Sequence, residues 1–315
     1  MQALLMLLVV GLVVVAPPFC RAASLLPINT EAVRRSVVFL FAADAKGEAN
    51  SKGETATAFL IQIPLKSEPR KFYYVLVTAR HVVDPVWACE GSIKPTILYA
   101  RVNKKKFDPG HDESGVQYIR VALREGNREL WAVHQNETVD AAVIPIDSDK
   151  FLVHDVAAIR ISDFGTPDEI KSVGIGDDVV SAGLVPRLSG QKRNYPFFKF
   201  GKVSNIPEEP TMMPCRSGPA RPRTFWYLAA TLIGGNSGSP IFLLPPGNAI
   251  MRYGDTRPFL LGLQSMSVDA GEIAGMTPAQ YIYEIFEQLH LPDANLSRGL
   301  VPQEPNQPKQ PAIPK

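Results

Sequence analysis

The stretch "LIGGNSGSP" (residues 232–240) sets Ser237 among three glycines, a second serine and a proline. Taken alone it fits an ordinary tight turn, because Gly, Asn and Ser are the residues such turns collect. It also fits a nucleophile on a strained loop. A serine hydroxyl attacks a carbonyl well only when a base takes its proton and a third group holds that base in the right tautomer. The remaining chain has to supply both.

Bulk composition permits this without demanding it. The chain has 315 residues, 45% hydrophobic and 20% charged, enough for one large domain or two small ones with real cores. A net charge of +2 gives no electrostatic pull toward nucleic acid. The basic clusters "NKKKF" (103–107) and "GQKRN" (190–194) read as solvated loop charge. Residues 1–22 form an apolar run closed by prolines and small residues, short for a bilayer span of about 20 residues and suited to a signal peptide cleaved after Ala22. No Lys or Arg precedes the run, so the alternative is an uncleaved N-terminal membrane anchor. The expected location is therefore secreted or periplasmic, with membrane attachment only if the segment stays. In an exported chain the remaining cysteines, Cys89 and Cys215, either join as a disulfide or stay as two buried thiols. Neither sits in a CxxC or CxxH pattern, and neither a metal nor any other cofactor is expected. Asn136 and Asn295 begin Asn-x-Ser/Thr sequons.

Short runs rich in Val, Ile, Phe and Tyr, spaced by Gly, Pro, Asn and Asp, predict strands at 36–41, 57–63, 73–79, 96–102, 117–123, 130–134, 141–146, 177–183, 197–204, 224–230, 240–244 and 259–266. Many short strands and few helical stretches point to an all-β sandwich or barrel. The polar segment from Asp147 to about Lys171 divides them into two groups. One helix is expected, with Thr277 as N-cap, Pro278 at the first helical position, and Ile282, Ile285, Phe286 and Leu289 toward the core. Residues 298–315, rich in Pro and Gln, read as a disordered tail.

Of five histidines, His111 lies in a polar turn, His154 in the connection, His290 at the helix end and His134 at a strand end. His81 differs, because the buried run "YYVLVTAR" delivers it to the end of a strand. Asp140 stands at the entrance to the apolar strand "AAVIPI", where a buried carboxylate needs a hydrogen-bond partner such as an imidazole N–H.

The order "VTARH", "TVDAAVI", "GGNSGSP" resembles the trypsin-like (chymotrypsin-fold) serine peptidases, in particular the bacterial branch that includes HtrA and glutamyl endopeptidase enzymes. The likeness runs from about Ser36 to Leu289; "VGIGDDVVSAG" and "FGKVS" add to it, and no PDZ module follows. It implies two antiparallel six-stranded β-barrels with a C-terminal helix: residues 34–150 carrying His81 and Asp140, and residues 151–291 carrying Ser237. By this resemblance His81 is the general base, Asp140 orients it, Ser237 forms an acyl-enzyme, and the Gly235 and Ser237 amides make the oxyanion hole. Thr231 would lie at the base of the primary pocket, with Ser265, Met266 and Ser267 as its wall; lacking an acid, that pocket suits a small or medium apolar residue. The implied partner is a protein or peptide substrate, with the oligomeric state open. Arg80 replaces a small residue, Ser239 a glycine, and Asn236 the aspartate that pairs with a freed N-terminus, so the site should form without zymogen activation. The alternative is a catalytically silent binding protein on the same scaffold.

Overall fold

The structure, a computed structural model, describes residues 29–50, 55–91, 93–185, 188, 190–215, 218–231, 235–245, 257–268 and 272–299. The signal peptide expected over residues 1–22 and residues 300–315 of the expected tail lie outside these. Among the described residues no helix is long and apolar enough to cross a membrane.

Alternation of apolar residues builds the first sheet. After helix α1 (Thr30–Ser36), the strands β1 (Val37–Ala42), β2 (Thr55–Pro64) and β3 (Phe72–Thr78) form its middle. A single helical turn, α2 (Arg80–Val83), leads to β4 (Ile97–Asn103) and β5 (Val116–Ala122). A small hairpin of β6 (Arg124–Glu125) and β7 (Arg128–Glu129) precedes β8 (Ala132–Val133) and β9 (Ala142–Pro145). The hydrogen-bonded order is β5-β4-β1-β2-β3-β9-β8. The connecting segment carries α3 (Ser148–Leu152), β10 (Ile159–Arg160) and α4 (Pro167–Lys171). Here β10 runs parallel to β2 at Ile61 and Gln62, just beyond the stretch that β1 covers. The eight strands exceed the six expected because the nominal connection contributes one and the β9 edge gains another. Leu98 and Ala100 of β4 and Ile119 and Val121 of β5 share one core with Ala142 and Ile144 of β9. A sheet whose two ends meet in one apolar core is rolled, although hydrogen bonds do not close it.

The second half closes fully. β11 (Asp178–Gly183), β12 (Phe197–Asn205), β15 (Trp226–Ala229), β16 (Pro240–Leu243), β17 (Phe259–Val268) and β18 (Ile273–Pro278) form an antiparallel barrel in the order β11-β12-β15-β18-β17-β16. Between β12 and β15 lies a hairpin of β13 (Thr211–Met213) and β14 (Arg221–Arg223). Val179, Val203, Leu228, Ile241, Leu261 and Met276 fill the barrel. The alternate residues Val180, Ala182 and Phe242 leave it and meet Phe39, Phe59, Ile61 and Val77 of the first sheet. The two rolled bodies therefore share a third core at their interface, and full burial of each such side chain stabilises by about 1.5–3 kcal/mol.

Helix α5 (Ala279–Gln288) closes that interface with Ile282, Ile285 and Phe286, all fully buried; Leu289 packs at its edge. The expected start is corrected: Pro278 is the N-cap, and Thr277 belongs to β18. The Thr277 hydroxyl is engaged elsewhere, with Ser265 and Asp140, and so cannot cap the helix. Arg298 bonds Gln280 and stacks on Tyr283, so the chain stays tied to α5 at the first residue of the expected tail.

Candidate active site

Strand register brings His81 and Asp140 together. β3 and β9 are antiparallel neighbours with Thr78 opposite Ala142, so the residues three after Thr78 and two before Ala142 leave the sheet side by side. His81 Nδ1 lies 2.8 Å from Asp140 Oδ2, and the His81 backbone N–H donates to Oδ1 at 3.0 Å. With Asp140 ionised, this arrangement places the ring proton on Nδ1 and leaves Nε2 as acceptor. Asp140 is 3% exposed. The Thr277 and Ser265 hydroxyls lie 3.3 and 3.4 Å from its carbonyl and 2.5 Å from each other; one donates to the other, which donates to the carbonyl, and the pair fixes the Asp140 backbone from the second barrel. Burial works against the charged imidazole, but the charge and hydrogen bond of Asp140, assisted by Glu90, outweigh it and hold His81 above the usual histidine value; Arg223 acts in the opposite direction.

Ser237 arrives from the second barrel on a loop stitched to the first. The Thr57 N–H of β2 donates to the Ser237 carbonyl at 2.8 Å, and the Thr57 hydroxyl donates to the Gly235 carbonyl at 2.9 Å. That hydroxyl also accepts from the Leu184 N–H at 3.2 Å, while Thr78 Oγ1 donates to the Thr57 carbonyl at 2.8 Å. On the other side the Gly238 N–H reaches the Gln264 carbonyl at 2.7 Å, and the Gln264 N–H reaches the Ser239 carbonyl at 2.9 Å. The loop is thus clamped between β2 and β17. Gly235 and Gly238 have φ of 90° and 86°, a left-handed backbone that glycine adopts without a Cβ clash. Among the described residues, the Gly235 and Ser237 N–H groups have no protein acceptor, and no hydrogen bond links Ser237 Oγ to His81.

The other expected positions divide. Ser265 is buried and turns its hydroxyl to Thr277, 2.5 Å away, and to Asp140, so its side chain supports the aspartate instead of lining a pocket. Met266 and Ser267 pair with Gly275 and Ala274, and Met266 lies over Gly275, where a Cβ would come within 2.4 Å of its Cγ. Thr231 is exposed just past β15, next to residues 232–234, which lie outside the described residues. Cys89 and Cys215 form a disulfide with Cα atoms 5.3 Å apart, joining the loop after His81 to the β13–β14 hairpin. His134 pairs with Glu284 of α5 at 2.7 Å and ties the end of β8 to that helix.

Sequence reasoning passes over Thr57 and reads Thr277 only as a helix cap, because a threonine in a strand carries no signal of a remote partner. It also passes over Trp87, whose ring carries the Arg80 and Arg223 guanidinium groups at 4.6 and 3.5 Å from its centroid. Arg80, noted only as a departure from the pattern, ion-pairs with Glu137 at 3.0 Å and so joins the loops carrying His81 and Asp140.

A closed antiparallel barrel packed on a second, rolled sheet, with a C-terminal helix and these residues at the boundary between the two, has the arrangement of a chymotrypsin-like fold. No family model and no curated protein matches the chain. Among solved structures it is similar to the MamO protease domain from Magnetospirillum magneticum in its apo form, with 14% identity over 80% of this chain and 96% of that one and a TM-score of 0.46. It is also similar to the Rv3671c protease from M. tuberculosis. The active form gives 12% identity, 86% coverage of each chain and a TM-score of 0.44; the inactive form gives 13%, 82% of this chain, 90% of that one and 0.45.

Proposed function

We propose that the chain is an exported serine endopeptidase that cleaves peptide bonds through Ser237, His81 and Asp140. The observation that carries the reading is the His81–Asp140 contact of 2.8 Å at the end of β3, the strand paired with β2, whose Thr57 clamps the Ser237 loop. In this reading His81 Nε2 takes the Ser237 proton as the hydroxyl attacks the scissile carbonyl. The tetrahedral oxyanion is received by the Gly235 and Ser237 N–H groups, which have no acceptor among the described residues. His81 then protonates the leaving amine, and a water repeats the sequence on the acyl-enzyme. An extended substrate pairs along Met266 and Ser267 of β17. The Cys89–Cys215 disulfide supports an oxidising, extracytoplasmic location, reached through residues 1–22.

The test is fluorophosphonate labelling of the purified protein with peptide mapping, using Ser237→Ala and His81→Ala as controls. One adduct on Ser237, absent from both variants, is expected, and a peptide library then defines the pocket at Thr231. A folded protein that takes no adduct would instead be a silent scaffold.

A further inference from the structure

The cluster around Trp87 holds a charge that the triad reading does not use. Arg223, on β14, is 7% exposed and stacks at 3.5 Å on the Trp87 ring. Its guanidinium donates to the Trp87 carbonyl at 2.8 Å and to the Pro222 carbonyl at 3.1 Å. Among the described residues no carboxylate lies within ion-pair distance of it. A buried cation held only by carbonyls is costly, and such a group persists where its charge is used.

Its surroundings show where the charge acts. Trp87 belongs to the loop after His81, and its indole N–H donates to the Glu137 carbonyl at 2.9 Å, three residues before Asp140. Thr224, next to Arg223, donates through its backbone to the Thr138 carbonyl at 3.0 Å and shares a 2.7 Å hydroxyl contact with Thr138. Arg223 is therefore fixed against the His81 loop and against the Asp140 loop at once. The other charges nearby are accounted for. Arg80 is paired with Glu137 and, at 3.9 Å, with Asp84; Lys94 is 3.0 Å from both Asp84 and Glu129. Arg221 is exposed and donates to the Trp87 carbonyl at 3.0 Å. Glu90, exposed on the His81 loop, has no ion pair among the described residues. Besides Asp140, the charges that act on His81 are of opposite sign, Arg223 from the second barrel and Glu90 from the first.

We propose that Arg223 is a positioning residue for the His81–Asp140 pair: stacked on Trp87 and bonded to its carbonyl, it fixes the His81 loop against the Asp140 loop from the second barrel, and its charge bears on the pair from that side as that of Glu90 does from the first. The electrostatics give the direction: Arg223 lowers and Glu90 raises the proton affinity of His81, and Asp140 in turn stabilises the Arg223 charge against burial. The role in catalysis rests on the peptidase reading above, whereas the effect on the His81 ring does not.

The experiment is therefore an NMR titration of the His81 ring, with the acid limb of kcat/KM on a library-derived peptide beside it. Arg223→Met raises both values, so that less neutral base is present on the acid side. Glu90→Gln lowers both, and Arg223→Lys, which keeps the charge, stays at the wild-type value. Arg223→Gln retains a donor for the Trp87 carbonyl and covers the case in which the methionine variant does not fold. Unchanged His81 titration in every folded neutral variant overturns the proposal. A ring that titrates as expected in a protein that takes no fluorophosphonate leaves the tuning in place and overturns the peptidase reading alone.

Discussion

Gly238→Ala is the substitution for which the structure makes the heaviest demand. Gly238 has φ of 86°, and a Cβ built there lies 2.1 Å from the Thr57 carbonyl oxygen and 2.5 Å from Thr78 Oγ1. The first is backbone of a central strand and cannot swing aside as a flexible side chain would. Holding alanine in the left-handed region costs about 1–2 kcal/mol. Forcing a methyl group into a packed site adds about 1–3 kcal/mol. Displacing Thr57 also breaks the Thr78 hydroxyl bond and strains the Thr57 N–H bond to Ser237, each worth about 1 kcal/mol. The expected loss is about 3–6 kcal/mol in urea unfolding, read as a lower midpoint with the same m-value. Because the same clamp sets the proposed nucleophile, the rate of fluorophosphonate labelling at Ser237 should fall at least about tenfold even below the unfolding transition, as misplacement of a reacting group allows. An alanine variant within 1 kcal/mol of wild type that labels at the wild-type rate would show that Gly238 is not wedged between Thr57 and Thr78.

Three further outcomes follow from the site. Asp140→Asn should reduce turnover by roughly 10⁴-fold, the scale seen when the orienting aspartate of a serine triad becomes an amide. It should also abolish the elevation of the His81 pKa, seen as a downward move of that ring's NMR titration. Because the folded-state value of His81 lies above 6.5, its pairing stabilises the fold fully below pH 6.5 and loses that contribution as pH rises through the raised value. Urea midpoints across that window should fall with pH in wild type and less steeply in Asp140→Asn. Thr57→Val keeps the shape of the side chain but leaves the Leu184 N–H and the Gly235 carbonyl unpaired, for an expected loss of about 1–3 kcal/mol and slower acylation. The Cys89→Ser/Cys215→Ser pair removes a cross-link spanning 126 residues, with an expected loss of about 2–5 kcal/mol by calorimetry; an unchanged melting curve would refute that estimate.

Much of this protein was legible in local pattern. Short apolar runs mark β1–β5, β8, β9, β11, β12 and β15–β17 but pass over the two- and three-residue strands β6, β7, β10, β13 and β14, and spacing in "AQYIYEIFEQLHL" marks the buried face of α5. The ordered motifs named His81, Asp140 and Ser237 because each sits where a strand meets a loop, a property of a few consecutive residues. β18 was missed, since "IAGMTP" offers small residues and a methionine where strand propensity favours β-branched and aromatic ones; its pairing with β15 and β17 supplies what propensity does not. The rolling of the first sheet was likewise invisible, because it depends on Leu98 and Ile144 meeting across strands far apart in the chain. The same holds for the clamp on Ser237 from Thr57, the hold on Asp140 from Thr277 and Ser265, and the stacking of Arg223 on Trp87, whereas Cys215 was already the one partner open to Cys89 and only their joining was left to the fold. A side chain's own sequence neighbourhood states whether it can form a strand or donate a hydrogen bond. Which distant group receives that bond is decided only when the two bodies pack and bury their shared core.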